Sequence, residues 1–533
     1  MRLKPETASF LAFSAIFAGL VAFVFWGTWS ISFAPVMPDA AIVHSPYHIP
    51  EALRSLLRDG RFIPGDLTNY LVSPYFWQEL KFALALYFAA LGMAYFCRGR
   101  SLSPIASYGA GLLLAFSGYW CTLYSAGHYG WFQWMTYGVF AFGFVDRALK
   151  GNRPRHWLML GATIAWGSFN QQDLWLLFTV FTAVYFVYRA LALKVFPWKG
   201  ALVALATFVL IGLPNFRTVL FGGALDSRKA QIERGENITT DSASEDERRW
   251  EFVTNWSLPP AETLEAICPR LNGDTSCPFV LALGRKNGVR PYTGALGRPM
   301  NAQTGNYRQH SLYLGVITVI LAFLGVIGAF FPRAKGRADR IFFLVALAVF
   351  LSLSYGRYFA AAYRLVFALP FGDLIRCPVK WYHLVEFSVV ALAAFGAESL
   401  WSLKKPFVPA LVGALIIVGA CDLARIDRLY CAPVNVERER ETKANMSLTL
   451  VSGKELKQPQ VAEMVRTGLV VPLTMVSKDV CVVKVLDRWP RPKHEHFPLW
   501  PFFLLGLPSI LATIGVLWYY PIEIRKDRAS LRA

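Results

Sequence analysis

Residues 10–31 read FLAFSAIFAGLVAFVFWGTWSI, directly after the opening MRLKPETAS. The run carries no ionisable side chain. A helix of roughly 20 such residues covers the hydrocarbon core of a bilayer. No small-residue cleavage site follows it and further apolar runs do, so it reads as a retained anchor rather than a removed signal peptide.

The rest of the chain repeats this pattern. By the roughly 20-residue hydropathy rule about twelve spans are expected. Their limits lie near 9–32, 79–97, 103–124, 128–146, 156–171, 174–193, 200–221, 310–331, 341–355, 381–402, 406–423 and 498–520. The shortest, 156–171 and 341–355, read as tilted or partly re-entrant. Composition agrees: 55% of the 533 residues are hydrophobic and only 17% charged, against about a quarter charged in soluble domains.

The net charge of +19 would suggest nucleic acid in a soluble protein. Here its placement gives another reason. The short connections CRGRS, DRALKGNRPRH, RALALKVFPWK, PRAKGRADR and LKKP, with the tail IRKDRASLRA, hold much of the Lys and Arg. All fall on one side if the spans alternate, which is the positive-inside pattern with both termini cytoplasmic. No basic patch interleaved with aromatics is present, so no nucleic-acid partner is expected.

The expected fold is an all-α polytopic membrane protein. Residues 1–423 form the transmembrane core with outer loops 33–78 and 222–309, residues 424–497 a small outer domain, and 498–533 a last span with a basic cytoplasmic tail. In the first outer loop, PEALRSLLRDG carries an apolar stripe of Ala52, Leu56 and Leu57, suited to a helix on the membrane surface. In the second, QIERGENITTDSASEDERRWEF is charged and reads as mobile, while the prolines of SLPPAETLEAICPRLNGD predict an ordered piece with a short helix over 261–266. In the third, LTLVSG, LVVPLTMV and DVCVVKVLD alternate as two or three short strands of a small sheet. Cys268 with Cys277, and Cys431 with Cys481, could each form a disulfide outside, or stay free thiols; spacing does not decide.

Ionisable groups beside a bilayer are costly, so each needs a reason. Asp39 follows the first span. His128 lies between the third and fourth. Asn170, Gln171, Gln172 and Asp173 break the apolar run between the fifth and sixth. Arg217 ends the seventh, and Arg376 and Lys380 precede the tenth. Every one maps to the outer interface, and that coincidence argues for a site. Each also has an ordinary role open to it: a solvated loop carboxylate for Asp39, a turn hydrogen bond for His128, polar glue between helices for 170–173, snorkelling for the cations. His44 and His48 have the four-residue spacing of a metal pair, but Pro46 weakens the helix it would need. A divalent metal has no strong motif, and the cofactor set is open. Signatures for nucleotide binding and for serine or zinc hydrolases are missing.

Taken together, several stretches resemble the YfhO-type family of bacterial membrane proteins. AFSGY is followed by GH and, two spans on, by a polar Gln-containing hairpin. SLPPAETLEAICPRLNGD and NYRQHSLYLGVITVILAFLG are similar to that family's outer-loop and span-entry patterns. FGDLIRCPVKWYHLVEF resembles its Phe-Arg-x-Pro-x-Arg element, with Ile375 for the Phe and Lys380 for the second Arg, while Arg376 and Pro378 match. The likeness covers most of residues 1–402. It departs at RFIPGDL in the first loop and in a reduced outer segment after residue 423.

The resemblance implies a GT-C-like glycosyltransferase fold in the bacterial inner membrane, with its site facing outward. Such enzymes move sugar from a polyprenyl-phosphate-linked donor to an acceptor that is a lipid, a polysaccharide or a protein; here the acceptor is unassigned. By position Asp39 is the implied general base, and displacement would invert the anomeric centre. His128 or 170–173 would orient it; Arg376, with Lys380 and Arg217, would hold the lipid phosphate. Tyr119, Trp120, Trp131 and Trp134 would wall the isoprenoid tail. Two rivals are a transporter or flippase for a lipid-linked saccharide and a non-catalytic envelope assembly protein. Against transport stand the lack of an internal repeat and the gathering of ionisable groups at the outer interface alone.

Overall fold

A computed structural model describes residues 5–26, 34–36, 74–126, 132–169, 172–221, 244–273, 311–369, 372, 375–403, 405–431, 434–436, 447–452, 470–477, 480–485 and 502–530. In chain order the helices are α1 (Pro5–Val24), α2 (Pro74–Gly99), α3 (Pro104–Ala115), α4 (Gly118–Cys121), α5 (Leu123–Ala126), α6 (Phe132–Gly151), α7 (Pro154–Gly167) and α8 (Gln172–Leu193). They continue as α9 (Trp198–Phe221), α10 (Glu245–Thr254), α11 (Val316–Ala329), α12 (Arg337–Ser354), α13 (Ala360–Phe367), α14 (Tyr382–Trp401), α15 (Val408–Cys431) and α16 (Leu507–Ser530). A helix therefore stands at each stretch expected to span. Among the described residues seven are long and apolar enough to cross a membrane, or eight if α12 and α13, bent by 112° at Gly356, count as one. The others are shorter or carry more charge: α3 has 12 residues, α7 and α11 have 14 each, and α6 holds Asp146, Arg147 and Lys150.

Helix α14 is the axis of the bundle. Nearly its whole length is buried, from Tyr382 to Glu398, packed by α11, α12, α3 and α15. Its crossing with α11 is close because two glycines meet there. A methyl on Gly325 would run into the Leu392 carbonyl, and one on Gly396 into that of Leu321. Without water or a hydrophobic effect between helices, such backbone approach gains dispersion contact over the whole crossing.

The stretch LAFSGYWCTLYSA is not one helix. α3 stops at Ala115, the chain breaks at Ser117, and α4 and α5 follow as two four-residue turns. Gly118 sits at the break with its amide on the Tyr313 carbonyl at 2.8 Å, and a side chain there would strike Ser311 and Tyr313. Residues on this break are fully enclosed by protein, the condition under which irregular backbone is tolerated at membrane depth.

Two expectations change. The EDERRWEF stretch is a helix rather than a mobile segment: Ser244 caps α10 through the Glu247 amide at 3.3 Å, and Glu245, Asp246 and Glu247 fill the first turn. Its far end packs Trp250 against Tyr363 and Phe367. The span expected to end at 423 continues to Cys431, whose buried thiol donates to the Cys121 carbonyl at 3.7 Å, and Cys268 is a free thiol. Cys277 lies outside the described residues. The 3-10 turn Pro260–Ala266 covers the short helix expected at 261–266.

Five strands are described: β1 (Ala34–Val36), β2 (Val434–Val436), β3 (Ser447–Ser452), β4 (Val470–Ser477) and β5 (Val480–Val485). β1 and β2 pair antiparallel, tying the chain after α1 to the chain after α15. The other three form an antiparallel sheet in the order β3-β5-β4, as the alternating residues of the third outer segment suggest. Pro472 lies on β4, an edge strand, where a missing donor does least harm.

Candidate functional site

The bundle has two polar ends joined by α8 and α14. Asp173 opens α8 and Lys380 stands just before α14; the two form an ion pair across 207 positions of sequence. Arg189 near the end of α8 and Glu398 near the end of α14 belong to the opposite end. From Asp173 to Arg189 is about 24 Å of helix, and from Lys380 to Glu398 about 27 Å, close to the thickness of a bilayer core.

At the Asp173–Lys380 end the site is built by a seated loop. The 3-10 turn Pro378–Trp381 leads into α14, and Cys377 before it has φ +64°. Two amides pin it to the end of α10 and the residues after it: Cys377 to the Val253 carbonyl at 3.1 Å and Val379 to that of Trp256 at 3.2 Å. Arg357, at the bend after α12, clamps the same segment through the carbonyls of Thr254 and Glu251 and through Asn255 Oδ1, at 3.0–3.2 Å. Arg376 lies with its guanidinium 5.5 Å from the Phe252 ring, and its Nε has no hydrogen-bond partner among the described residues. Asp173 also accepts the Leu174 amide at 2.9 Å, and the side chains of Asp173 and Lys380 are each 8% exposed. The arrangement is a nearly dry cation paired with a carboxylate, with a guanidinium four residues earlier in the chain.

Of the residues singled out from the sequence, Asp173 and Lys380 are thus brought together, and Arg376 lies four residues before Lys380 with its guanidinium over Phe252. Gln172 and Arg217 fall in α8 and α9, with side chains outside what is described. Asp39, His44, His48, His128, Asn170 and Gln171 lie outside the described residues.

The aromatic wall takes a different place from the one expected. Tyr119, Trp120 and Trp134 do not face lipid; they are buried around His383, with ring centroids 4.2, 6.0 and 5.2 Å from the imidazole. Tyr119 and Trp120 come from the short turn α4 after the break and Trp134 from the start of α6, and the three close on His383 of α14. An open apolar groove of about 510 Å³ lies elsewhere, between α1 and α2, with Phe17, Val21 and Tyr87 on its walls.

Sequence reasoning passed over two sets of groups. The first is a pair of deeply buried acids, Glu386 on α14 and Asp427 on α15, both fully enclosed. An acid inside LVEFSVVALAAFGAESL was a readable signal. Asp427 was hidden because the expected span ended four residues before it. The second is a charge network at the other end, where Asp146 and Asp339 are bound by Arg100 and Arg189. Arg100 Nη1 and Arg189 Nε each lie 2.9 Å from Asp146 Oδ1, and Arg100 also pairs with Asp339. Tyr185 and Tyr188 donate to the two carboxylates at 2.6 and 3.0 Å. Burial by itself weakens the Arg100 cation, but Asp146, Tyr185 and Asp339 beside it raise its affinity for the proton above the ordinary arginine value.

Among the described residues no group of three His, Cys, Asp or Glu side chains is placed to hold a metal ion. No family model, no curated protein and no solved structure matches the chain.

Proposed function

We propose that the chain is a membrane glycosyltransferase that takes sugar from a polyprenyl-phosphate-linked donor on the outer face of the membrane. The observation that carries this reading is the Lys380–Asp173 ion pair at one end of the bundle, with Arg376 four residues before Lys380 on the loop that enters α14. A lipid phosphate needs cations at the depth of its headgroup. Guanidinium offers two parallel donors to phosphate oxygens, and ammonium a compact charge. Asp173 holds the Lys380 ammonium in place until a phosphate competes for it. Asp39 is the general base for the acceptor hydroxyl in this proposal, on the strength of its place after the first span and of the family resemblance. Gathering of the connections CRGRS, DRALK, RALAL and RADR in one ion network supports the cytoplasmic assignment of that end, since chain alternation requires them on one side.

The test uses the full chain in lipid nanodiscs with a polyprenyl monophosphate and its sugar-linked form. Arg376→Ala is expected to weaken binding of the monophosphate about tenfold, the worth of one charge-assisted contact. Asp39→Asn is expected to abolish sugar transfer while leaving that binding intact. Undiminished transfer in Asp39→Asn removes Asp39 from the chemistry.

A second reading has gained an observation. Transport was disfavoured because ionisable groups gathered only at the outer interface. Glu386 and Asp427 are buried within the bundle and Asp146 and Asp339 at the opposite end, the distribution a transport path uses. A lipid-linked saccharide carrier would move its cargo across a vesicle membrane with Asp39→Asn unchanged, and that outcome would select it.

A further inference from the structure

Helix α12 carries the chain from Arg337 to Ser354, about 27 Å, and at Gly356 the chain turns by 112° into α13. Gly356 has φ +49°, and a side chain there would strike Ser257 and Pro378, so the turn is seated against the loop that enters α14. Further along α13, the Tyr363 hydroxyl donates to the Ile375 carbonyl at 3.0 Å, one residue before Arg376. The helix is thus tied twice to the loop that carries Arg376 and Lys380. Its two faces differ. Tyr363 is fully buried, and with Phe367 it packs on Trp250 of α10. The first turn of α10 carries the exposed acids Glu245, Asp246 and Glu247, which mark that side as aqueous. The opposite stripe of α13, Ala361, Leu365 and Ala368, is exposed, Leu365 by 73%. Phe359 and Leu369 extend it at the two ends, 46% and 60% exposed.

We infer that α13 is an interfacial helix, seated by this apolar stripe in the bilayer leaflet at the Asp173–Lys380 end. Its place in the chain points to lipid as the occupant. Ile341, Val345 and Val349 form an exposed apolar row along α12, the row that meets lipid in a membrane-spanning helix, and α13 begins where α12 reaches the bundle's end. Size points the same way. Eight residues make a helix about 12 Å long, and one face of it falls far short of the roughly 800 Å² per partner that a specific protein contact buries. A bilayer needs no such area, because it already surrounds α12 and meets α13 by continuity. Arg364, at the edge of the stripe with its guanidinium 5.2 Å from the Trp250 ring, stands between the apolar face and α10. That is the level at which a basic side chain reaches headgroup phosphates. The loop held through Gly356 and Tyr363 then rides on the leaflet, which keeps Arg376 and Lys380 at a fixed depth relative to the headgroups. This holds whether that end transfers a sugar or carries one.

Thiol labelling of the full chain in nanodiscs of phosphatidylglycerol and phosphatidylethanolamine tests the seating. A sulfonated maleimide reacts with thiolates in water and is kept out of hydrocarbon, and reading each peptide by mass separates the native cysteines. Leu365→Cys and Leu369→Cys are expected to react roughly tenfold or more slowly than Glu245→Cys on α10, because a thiol in apolar surroundings forms little thiolate. Their rates should approach that of Leu205→Cys, at an exposed apolar position of α9. A photoreactive benzophenone side chain at position 365 is expected to capture phospholipid, seen as added mass on its peptide. Reaction of Leu365→Cys as fast as Glu245→Cys overturns the seating, and so does capture of another segment of this chain or of a second copy. Leu205→Cys, slow while Leu365→Cys is fast, would place the fault in the seating of α13 rather than in the spans.

Discussion

At one end of the bundle Asp146 and Asp339 are shared by Arg100 and Arg189, with Tyr185 and Tyr188 completing the set. Lys335 adds an ion pair to Glu398 at 2.6 Å, and the Ser103 amide donates to that carboxylate at 2.7 Å. At the other end Asp173 pairs with Lys380, and Arg376 lies over the Phe252 ring. The first end spends its charges on itself: each acid has two or more donors from different helices, and the groups lock four connections together. The second leaves the Arg376 Nε unpartnered among the described residues. Buried ions that satisfy each other set helix positions. Buried ions with capacity left over are suited to a ligand.

This contrast can be broken by mutation. The largest effect is expected for Asp146→Ala, which leaves two buried cations, Arg100 and Arg189, to share the one carboxylate of Asp339 and costs about 3–5 kcal/mol. Thermal unfolding followed by tryptophan fluorescence in nanodiscs measures it. Asp173→Asn is expected to cost less, about 1–3 kcal/mol, because one cation loses one partner and keeps a hydrogen-bond acceptor in the amide. It should also tighten binding of a polyprenyl monophosphate several-fold by removing the competitor for Lys380, and ligand should restore the lost melting temperature. The smallest effect is expected for Arg376→Ala, at most about 1 kcal/mol of ring contact with Phe252, despite its loss of phosphate binding. If Asp146→Ala and Arg376→Ala lower stability alike, the two ends are not different in kind. If Asp173→Asn weakens phosphate binding, Asp173 belongs to the ligand site rather than competing with it.

How much of this was legible beforehand varies by residue. Asp173, Arg376 and Lys380 could be singled out because each is a polar break at the end of an apolar run, and the alternation of spans put them on one side. Their pairing could not. Arg100, Asp146, Arg189 and Asp339 were visible only as charges on short connections that orient the chain; the network they form needs the packing of α2, α6, α8 and α12. Glu386 was readable as an acid inside an apolar helix, yet what it meets depends on α3 stopping at Ala115 so that the Tyr119 amide is free to reach it. The aromatics near Tyr119 were misread because their burial depends on how α4 and α6 pack around His383 of α14.

The sequence by itself determined that this is a helical membrane protein with a basic end and a polar end, because hydropathy and charge add along each helix independently of its neighbours. Tertiary structure alone decided which charges meet, which acids are buried together and which face of α14 carries polar groups. Ion pairs and hydrogen bonds act over a few ångströms between helices far apart in the chain, so they depend on where helices break and how closely glycines let them cross.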